Sequence, residues 1–118
     1  MTNQEIANRL YELCQKGDME TIHQELFSDD VTSTEPNMQG QLETAHGREG
    51  LKKKGEDFNQ SIEEVHSGYT NPPVVFGNHI FMEMGMDVTL KGMGRIDMRE
   101  MCHYVIKDGK IISEEFFY

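Results

Sequence analysis

Glu100 and Glu115 are the carboxylates whose setting in this sequence could do chemistry. Glu100 stands two residues before Cys102 and four before Tyr104, and Glu115 stands two before Phe117. Between the two runs lies Asp108-Gly109. That dipeptide favours a two-residue hairpin turn because both positions accept positive φ. The turn pairs Lys107 with Lys110 and Ile106 with Ile111. Counting outward, one face carries Ile106 with Ile111, Tyr104 with Ser113, Cys102 with Glu115, and Glu100 with Phe117. Carboxyl groups among apolar neighbours are raised in pKa, and a second carboxylate nearby raises one of them further. A general acid or base for neutral pH is made in this way. Glu115, Glu100 and Tyr104 are therefore the candidate catalytic set, with Tyr104 donating a hydrogen bond. Cys102 and Phe117 join them on the wall of a ligand pocket.

The opposite face of the same hairpin pairs Val105 with Ile112, His103 with Glu114, Met101 with Phe116, and Arg99 with Tyr118. It too is substantially apolar, so it needs cover. The simplest cover is a second copy of the chain. Met101, His103, Phe116 and Tyr118 are the expected dimer face of a homodimer formed through the sheet.

Further candidates come from the rest of the chain. Glu83 and Asp87 alternate along the run before the hairpin, and Asp87 is taken as a pocket residue in register with Glu100. His46 precedes a glycine in a polar segment that could edge a cavity. Phe58 lies on a helical apolar stripe. None of the five histidines is spaced at i, i+4 with another or clustered with cysteine, so no metal site is expected. Gly92-Met93-Gly94 is a turn rather than a phosphate loop, and no serine sits in a nucleophile elbow. No cofactor is expected.

The elements that must position these residues follow from periodicity. Thr2 and Glu5 have the spacing of a capping box. Ile6, Leu10, Leu13 and Cys14 form the stripe of a first helix, which ends at Lys16-Gly17. Asp18 caps a short second helix whose inner face is Ile22, Leu26 and Phe27. Val31 to Glu35 reads as a strand closed by Pro36, and Asn37 to Gly47 as a polar loop. A third helix carries Leu51, Gly55, Phe58 and Ile62 on one stripe. Gly55 is costly there and suggests close approach of another backbone. Lys52-Lys53-Lys54, beside Glu49, Glu56 and Asp57, reads as a solvated helix face. The second half is β: Glu63 to Tyr69, then one or two strands over Val74 to Leu90 with a bulge near Gly85, then the hairpin strands Ile96 to Ile106 and Ile111 to Tyr118. Helices followed by antiparallel strands predict an α+β fold with three helices from the first half on one face of a mostly antiparallel sheet.

Composition agrees. A chain of 118 residues with 36% hydrophobic and 27% charged residues suits a single domain over 1–118 with its own core. The excess of 21 acidic over 11 basic residues, net −10, disfavours phosphate backbones, so no nucleic-acid partner is expected. No segment approaches the roughly 20 apolar residues that span a bilayer, so no membrane partner is expected either. Cys14 and Cys102 read as buried thiols, and a cytoplasmic location is expected. Of nine methionines, Met82, Met84, Met86, Met93, Met98 and Met101 crowd one region of the second half and read as adaptable core filler.

Three stretches together resemble the SnoaL-like family of the nuclear transport factor 2-like superfamily. They are the terminal Tyr104 to Tyr118 hairpin; Met86-Asp87-Val88-Thr89-Leu90 with Gly94 and Met98-Arg99-Glu100; and His46-Gly47-Arg48-Glu49-Gly50-Leu51. The order of elements agrees over nearly the whole chain. The resemblance implies a cystatin-like cone: a strongly curved sheet wrapped on helices, with a pocket at its open end for a small apolar molecule. It implies dimerisation through the sheet. Isomerase, polyketide cyclase or hydrolase chemistry without a cofactor is the activity it suggests. A noncatalytic ligand-binding or interaction module is the alternative. Tyr11 on the first helix stands where ketosteroid isomerases place a hydrogen-bonding tyrosine. Glu35 falls near their base position. Glu115 is placed like the last-strand carboxylate of the superfamily's epoxide hydrolases.

Overall fold

A computed structural model describes residues 1–118. Its elements are α1 (Asn3–Lys16), α2 (Met19–Thr21), a π-helical turn (Ile22–Leu26), β1 (Phe27–Pro36), β2 (Leu42–His46), α3 (Gly47–Ser61), β3 (Ile62–Thr70), β4 (Val74–Phe76), β5 (His79–Leu90), β6 (Gly94–Lys107) and β7 (Lys110–Phe117). The strands form one curved sheet in the order β2-β1-β7-β6-β5-β3, with β4 pairing β5 beyond the end of β3. Every pairing is antiparallel except β1 with β7. The expected α+β architecture is present.

α1 starts as the sequence dictates. Thr2 accepts from the backbone N–H of Glu5, and the Glu5 carboxylate accepts from the backbone N–H of Thr2. It ends at Gly17, whose left-handed φ of 70° lets its N–H reach the last carbonyls. Ile6, Ala7, Leu10 and Leu13 are buried. They pack with Ile22, Leu26 and Phe27 of the π turn and β1, and with Ile80, Met82, Cys102, Tyr104, Ile106 and Ile111 from the concave face of the sheet. The second helix is only partly α-helical: after Met19–Thr21 the chain widens into a π turn, which carries Ile22 and Leu26 into the core.

Three expectations about local structure are corrected. The Asn37 to Gly47 segment contains β2, paired with β1 from Thr32 opposite His46 to Pro36 opposite Leu42. Its residues are polar because the strand is a sheet edge exposed along most of its length. Gly55 meets no other backbone; a Cβ there would have nothing within 4 Å. Gly85 marks no bulge, since β5 and β6 pair without a slip from His79 to Leu90. The glycine instead makes room for the Tyr69 ring, which a Cβ would meet at 2.1 Å.

The largest correction concerns register. The Asp108-Gly109 turn forms, with φ of 52° and 76°. Lys107 pairs with Lys110 and Ile106 with Ile111, but Val105 then pairs with Ser113. Ile112 is an unpaired extra residue, a bulge one step beyond the turn. From there every β7 side chain changes face relative to the plain hairpin. Tyr104 opposes Glu114, His103 opposes Glu115, Cys102 opposes Phe116, and Met101 opposes Phe117.

Candidate functional site

The bulge decides which residues share the interior. On β6 the inward residues are Glu100, Cys102 and Tyr104, as the sequence indicated. On β7 they are Glu114 and Phe116, with Tyr118 following in the same phase. Glu115 and Phe117 face outward beside His103 and Met101, so Glu115 cannot share a pocket with Glu100. Phe116 and Tyr118 correspondingly leave the expected dimer face. Phe116 packs against the core, and the Tyr118 hydroxyl donates to Glu35.

β1 lies beside β7 and brings Ser33 opposite Glu114. Ser33 is 1% exposed and Glu114 7%, the two buried polar residues of the chain. Glu35 follows two residues later on the same face. α3 lies across β1 and supplies Lys54. Its ammonium donates to Ser33 Oγ at 2.7 Å and pairs with Glu35 Oε1 at 2.6 Å. It also stands 4.7 Å from the centre of the Phe116 ring, where the ring face attracts a cation. Cys102 Sγ lies 3.8 Å from Glu100 Oε1. The cluster is thus three carboxyl groups, Glu35, Glu100 and Glu114, around one ammonium.

The electrostatics follow from burial. Burial pushes Glu100 up to about 7, the charge of Glu35 adds to the rise, and Lys54 opposes it. Burial likewise pushes Glu114 up to about 7. Hydrogen bonding to Ser33 and the charge of Lys54 oppose that rise, while Glu100 and Glu35 reinforce it. Both carboxyls therefore hold a proton to higher pH than an exposed glutamate does. Burial raises the Cys102 thiol, the Tyr104 phenol and the Cys14 thiol, the last to about 12. None of these three is a nucleophile or base at neutral pH. Tyr104 stays a neutral phenol, able to donate a hydrogen bond.

The remaining sequence candidates scatter. Tyr11 is half-buried against the core, and its hydroxyl accepts from Gln15 at 2.9 Å. Phe58 is half-buried on α3. His46 is an exposed residue at the start of α3 and gives that helix no side-chain cap. Asp87 shares the outward phase of β5 and is held by Arg95 at 2.8 and 3.0 Å. The arginine holds its carboxyl below the usual range. Sequence reasoning missed Ser33, Lys54 and Glu114. Lys54 had a signal: it falls three residues after Leu51 and four before Phe58, on the apolar stripe rather than the solvated face.

An open cleft of about 300 Å³ lies between β1, β2 and α3. Ser33, Glu35 and Lys54 form one side of it, and Glu43, Thr44 and Lys53 another; only one of its nine lining residues is hydrophobic. Neither Glu100 nor Glu114 lines the cleft. No group of three or more His, Cys, Asp or Glu residues is arranged to hold a metal ion. No helix is long and apolar enough to cross a membrane.

Comparison with known proteins agrees with this architecture. A family described as the SnoaL-like domain matches residues 1–118. A Mesorhizobium loti protein described as a SnoaL-like polyketide cyclase superposes with a TM-score of 0.90 at 36% identity, covering 100% of both chains. A protein of unknown function from Burkholderia pseudomallei, described as nuclear transport factor 2-like, gives 0.78 at 19% identity over 100% of this chain and 92% of its own. TerC, co-crystallised with polyporic acid, gives 0.75 at 19% identity over 98% of this chain and 90% of its own. No match is found among curated proteins. By the full-length family match and the 36% relative, the chain belongs to the SnoaL-like family.

Proposed function

We propose that the protein binds a small molecule at the Glu35–Lys54 end of its interior and moves a proton on it, in the manner of a cofactor-independent isomerase, cyclase or hydrolase. The observation that carries this reading is geometric: Glu100 and Glu114 share the inward face with Ser33 and Glu35, the last two both held by the one lysine, Lys54, and burial there raises both carboxyls, Glu100 and Glu114. One such group can accept a proton while the other donates. The Tyr104 or Tyr118 hydroxyl can donate to a developing oxyanion. Glu115 drops out of the catalytic set because it faces outward, and Glu114 takes its place. The small apolar ligand expected from the sequence is revised in one respect. Approach through the cleft passes Glu43, Thr44 and Lys53, so the ligand carries a polar group at the leading end. The test is deuterium uptake by enolisable carbonyl compounds in heavy water. Uptake above background that is lost in Glu100→Gln or Glu114→Gln supports proton transfer. Binding without uptake for every compound bound refutes it.

A second reading, a noncatalytic binding or interaction module, is favoured by a different observation. The interior is closed by the chain's own groups: Lys54 and Tyr118 both engage Glu35, and the open cleft stops short of Glu100 and Glu114.

We also propose a homodimer through the outer face of the sheet. Val74, Phe76, Phe81, Met101 and Phe117 are large apolar residues left exposed there, with His103 and Glu115 among them. Phe117 replaces Phe116 and Tyr118 on this face. A monomer at micromolar concentration in sedimentation equilibrium removes the proposal.

A further inference from the structure

The start of β1 departs from regular pairing. β1 advances from Phe27 to Thr32 while β7 advances only from Ile111 to Ser113, so Ser28, Asp29 and Asp30 arch away from the ladder as a bulge. The first turn of α3 clasps this arch. Gly47, at φ 72°, brings the helix start against the Asp29 carbonyl, which a Cβ there would meet at 3.6 Å. Arg48 donates from Nη2 to the Phe27 carbonyl at 2.6 Å and pairs through Nη1 with Asp29 Oδ1 at 3.0 Å. Lys110, at the hairpin turn, donates to the Glu25 carbonyl at 2.7 Å. Ser28, Asp29, Asp30, Arg48 and Lys110 line an open pocket of about 600 Å³. None of them lines the cleft at Lys54 or belongs to the exposed apolar patch on the outer face.

Two atoms of these lining residues lack partners. Ser28 Oγ and Arg48 Nε are the two buried side-chain polar atoms of the chain with no hydrogen bond. A buried donor left unpaired is costly, and such groups are rare in folded chains. The Nε–H can only donate, and the hydroxyl can donate too, so the group they lack is an acceptor. Lys110 and Arg48 both keep N–H groups beyond those already engaged. Asp29 competes weakly for the guanidinium, because its side chain is 94% exposed and an ion pair in solvent contributes little. His46 gives α3 no side-chain cap, so the positive end of the helix is left uncompensated beside Arg48.

We propose that this pocket binds a small zwitterion of the α-amino-acid type, its carboxylate seated on Ser28, Arg48 and Lys110 and its ammonium between Asp29 and Asp30. The lining carries two cations and two carboxylates, which disfavours a bare dianion such as phosphate and suits a ligand of both signs. The ligand carboxylate takes the place of Asp29 on the guanidinium, and Asp29 turns to the ligand ammonium. Asp29 reaches Nη1 alone. A free carboxylate can also engage the Nε edge, in the bidentate fork that a planar guanidinium favours.

This inference does not depend on the acid–base reading of the interior. It is tested by titrating the isotope-labelled full chain with glycine, sodium acetate and methylammonium chloride at matched ionic strength and following the backbone amide resonances. The expected result is saturable shifts at Ser28, Asp29, Asp30, Gly47 and Arg48 at millimolar glycine, with acetate and methylammonium each several-fold weaker. Ser28→Ala and Lys110→Met should each weaken glycine several-fold, and Lys107→Met, the same charge change on the same hairpin, should not. The ligand-free Tm of each variant confirms that it folds. Absence of saturable shifts at millimolar glycine overturns the proposal. So does acetate or methylammonium binding as well as glycine, and so does glycine binding that is unchanged in both the Ser28 and the Lys110 variant. A crystal grown with glycine in which a fixed water alone joins Ser28 Oγ to Arg48 Nε overturns it as well.

Discussion

Replacing Glu114 with glutamine reads the electrostatics of the interior without any knowledge of substrate. An unperturbed glutamate titrates near 4.5, and burial holds Glu114 near 7. Between those two values the folded chain keeps a proton that the unfolded chain has released. Stability against unfolding therefore falls as pH rises through this window and levels off above it. The gap is about 2.5 pH units, which at 1.36 kcal/mol per unit amounts to about 3 kcal/mol at full effect. Glutamine keeps the shape and one acceptor oxygen toward Ser33 but cannot ionise. At about pH 5 the variant should match the parent to within about 1 kcal/mol; at about pH 8 it should be more stable by about 2–3 kcal/mol. Urea unfolding at the two pH values measures this as a change in midpoint. The comparison must be variant against parent at each pH. Burial lowers His23 and His103, and such groups withdraw stability as pH falls below their unfolded value near 6.5, which tilts the raw curve the other way. An advantage for Glu114→Gln at pH 8 no larger than at pH 5 would refute the reasoning. Glu114 would then be ionised in the folded chain at no cost, and its assignment as a proton-exchanging group would fall with it.

Lys54→Met should destabilise the chain by about 1–3 kcal/mol at about pH 8 and by less at about pH 5, because it removes the only cation that lowers Glu100 and Glu114 and strips Glu35 and Ser33 of their donor; the same unfolding series measures it. Gly85→Ala should cost about 1–3 kcal/mol by driving out the Tyr69 ring, and a double-mutant cycle should show that cost largely gone in a Tyr69→Ala background. Gly55→Ala should stabilise by about 0.5–1 kcal/mol, read as a higher Tm, because α3 gains a better helix former at a position where a Cβ touches nothing.

Much of the fold was legible because local signals and global packing agree. The Thr2 to Glu5 capping box, the Ile6-Leu10-Leu13 stripe, the Gly17 stop and the Asp108-Gly109 turn each name a structure that a few neighbouring residues suffice to make. β2 was not legible. An edge strand exposed on most of its residues, such as Leu42 to His46, needs no apolar alternation, so its composition matches that of a loop. Gly55 misled for a related reason: a costly residue invites a functional account, yet on an exposed turn of α3 its cost of about 1 kcal/mol is one the rest of the chain can carry. Lys54 is hidden among three consecutive lysines, whose charge pattern reads as one solvated face. Only its spacing from Leu51 and Phe58 separates it from Lys52 and Lys53.

The interior site turns on a single residue that no pattern announces. A strand has period two, so one unpaired residue, Ile112, exchanges the faces of everything after it. The plain hairpin puts Glu115 and Phe117 inside. The bulged one puts Glu114 and Phe116 there, with Tyr118 in the same phase but largely exposed at the chain's end, and only the bulged form matches charge with environment. Glu114 lies opposite Ser33, which accepts from the Lys54 ammonium, and Phe116 offers its ring face to the same ammonium. Glu115, left outside, stands beside His103 in contact with solvent. With the other register a buried Glu115 would face Cys102, and Lys54 would lose its aromatic neighbour. The parallel β1–β7 pairing fixes the choice, since Ser33 can oppose Glu114 only after the slip. The hairpin turn is a local matter, but the identity of the inward carboxylate depends on a contact between residues 81 positions apart in the chain. Sequence periodicity within the hairpin could supply two candidates for that role, and only packing against β1 and α3 could choose between them.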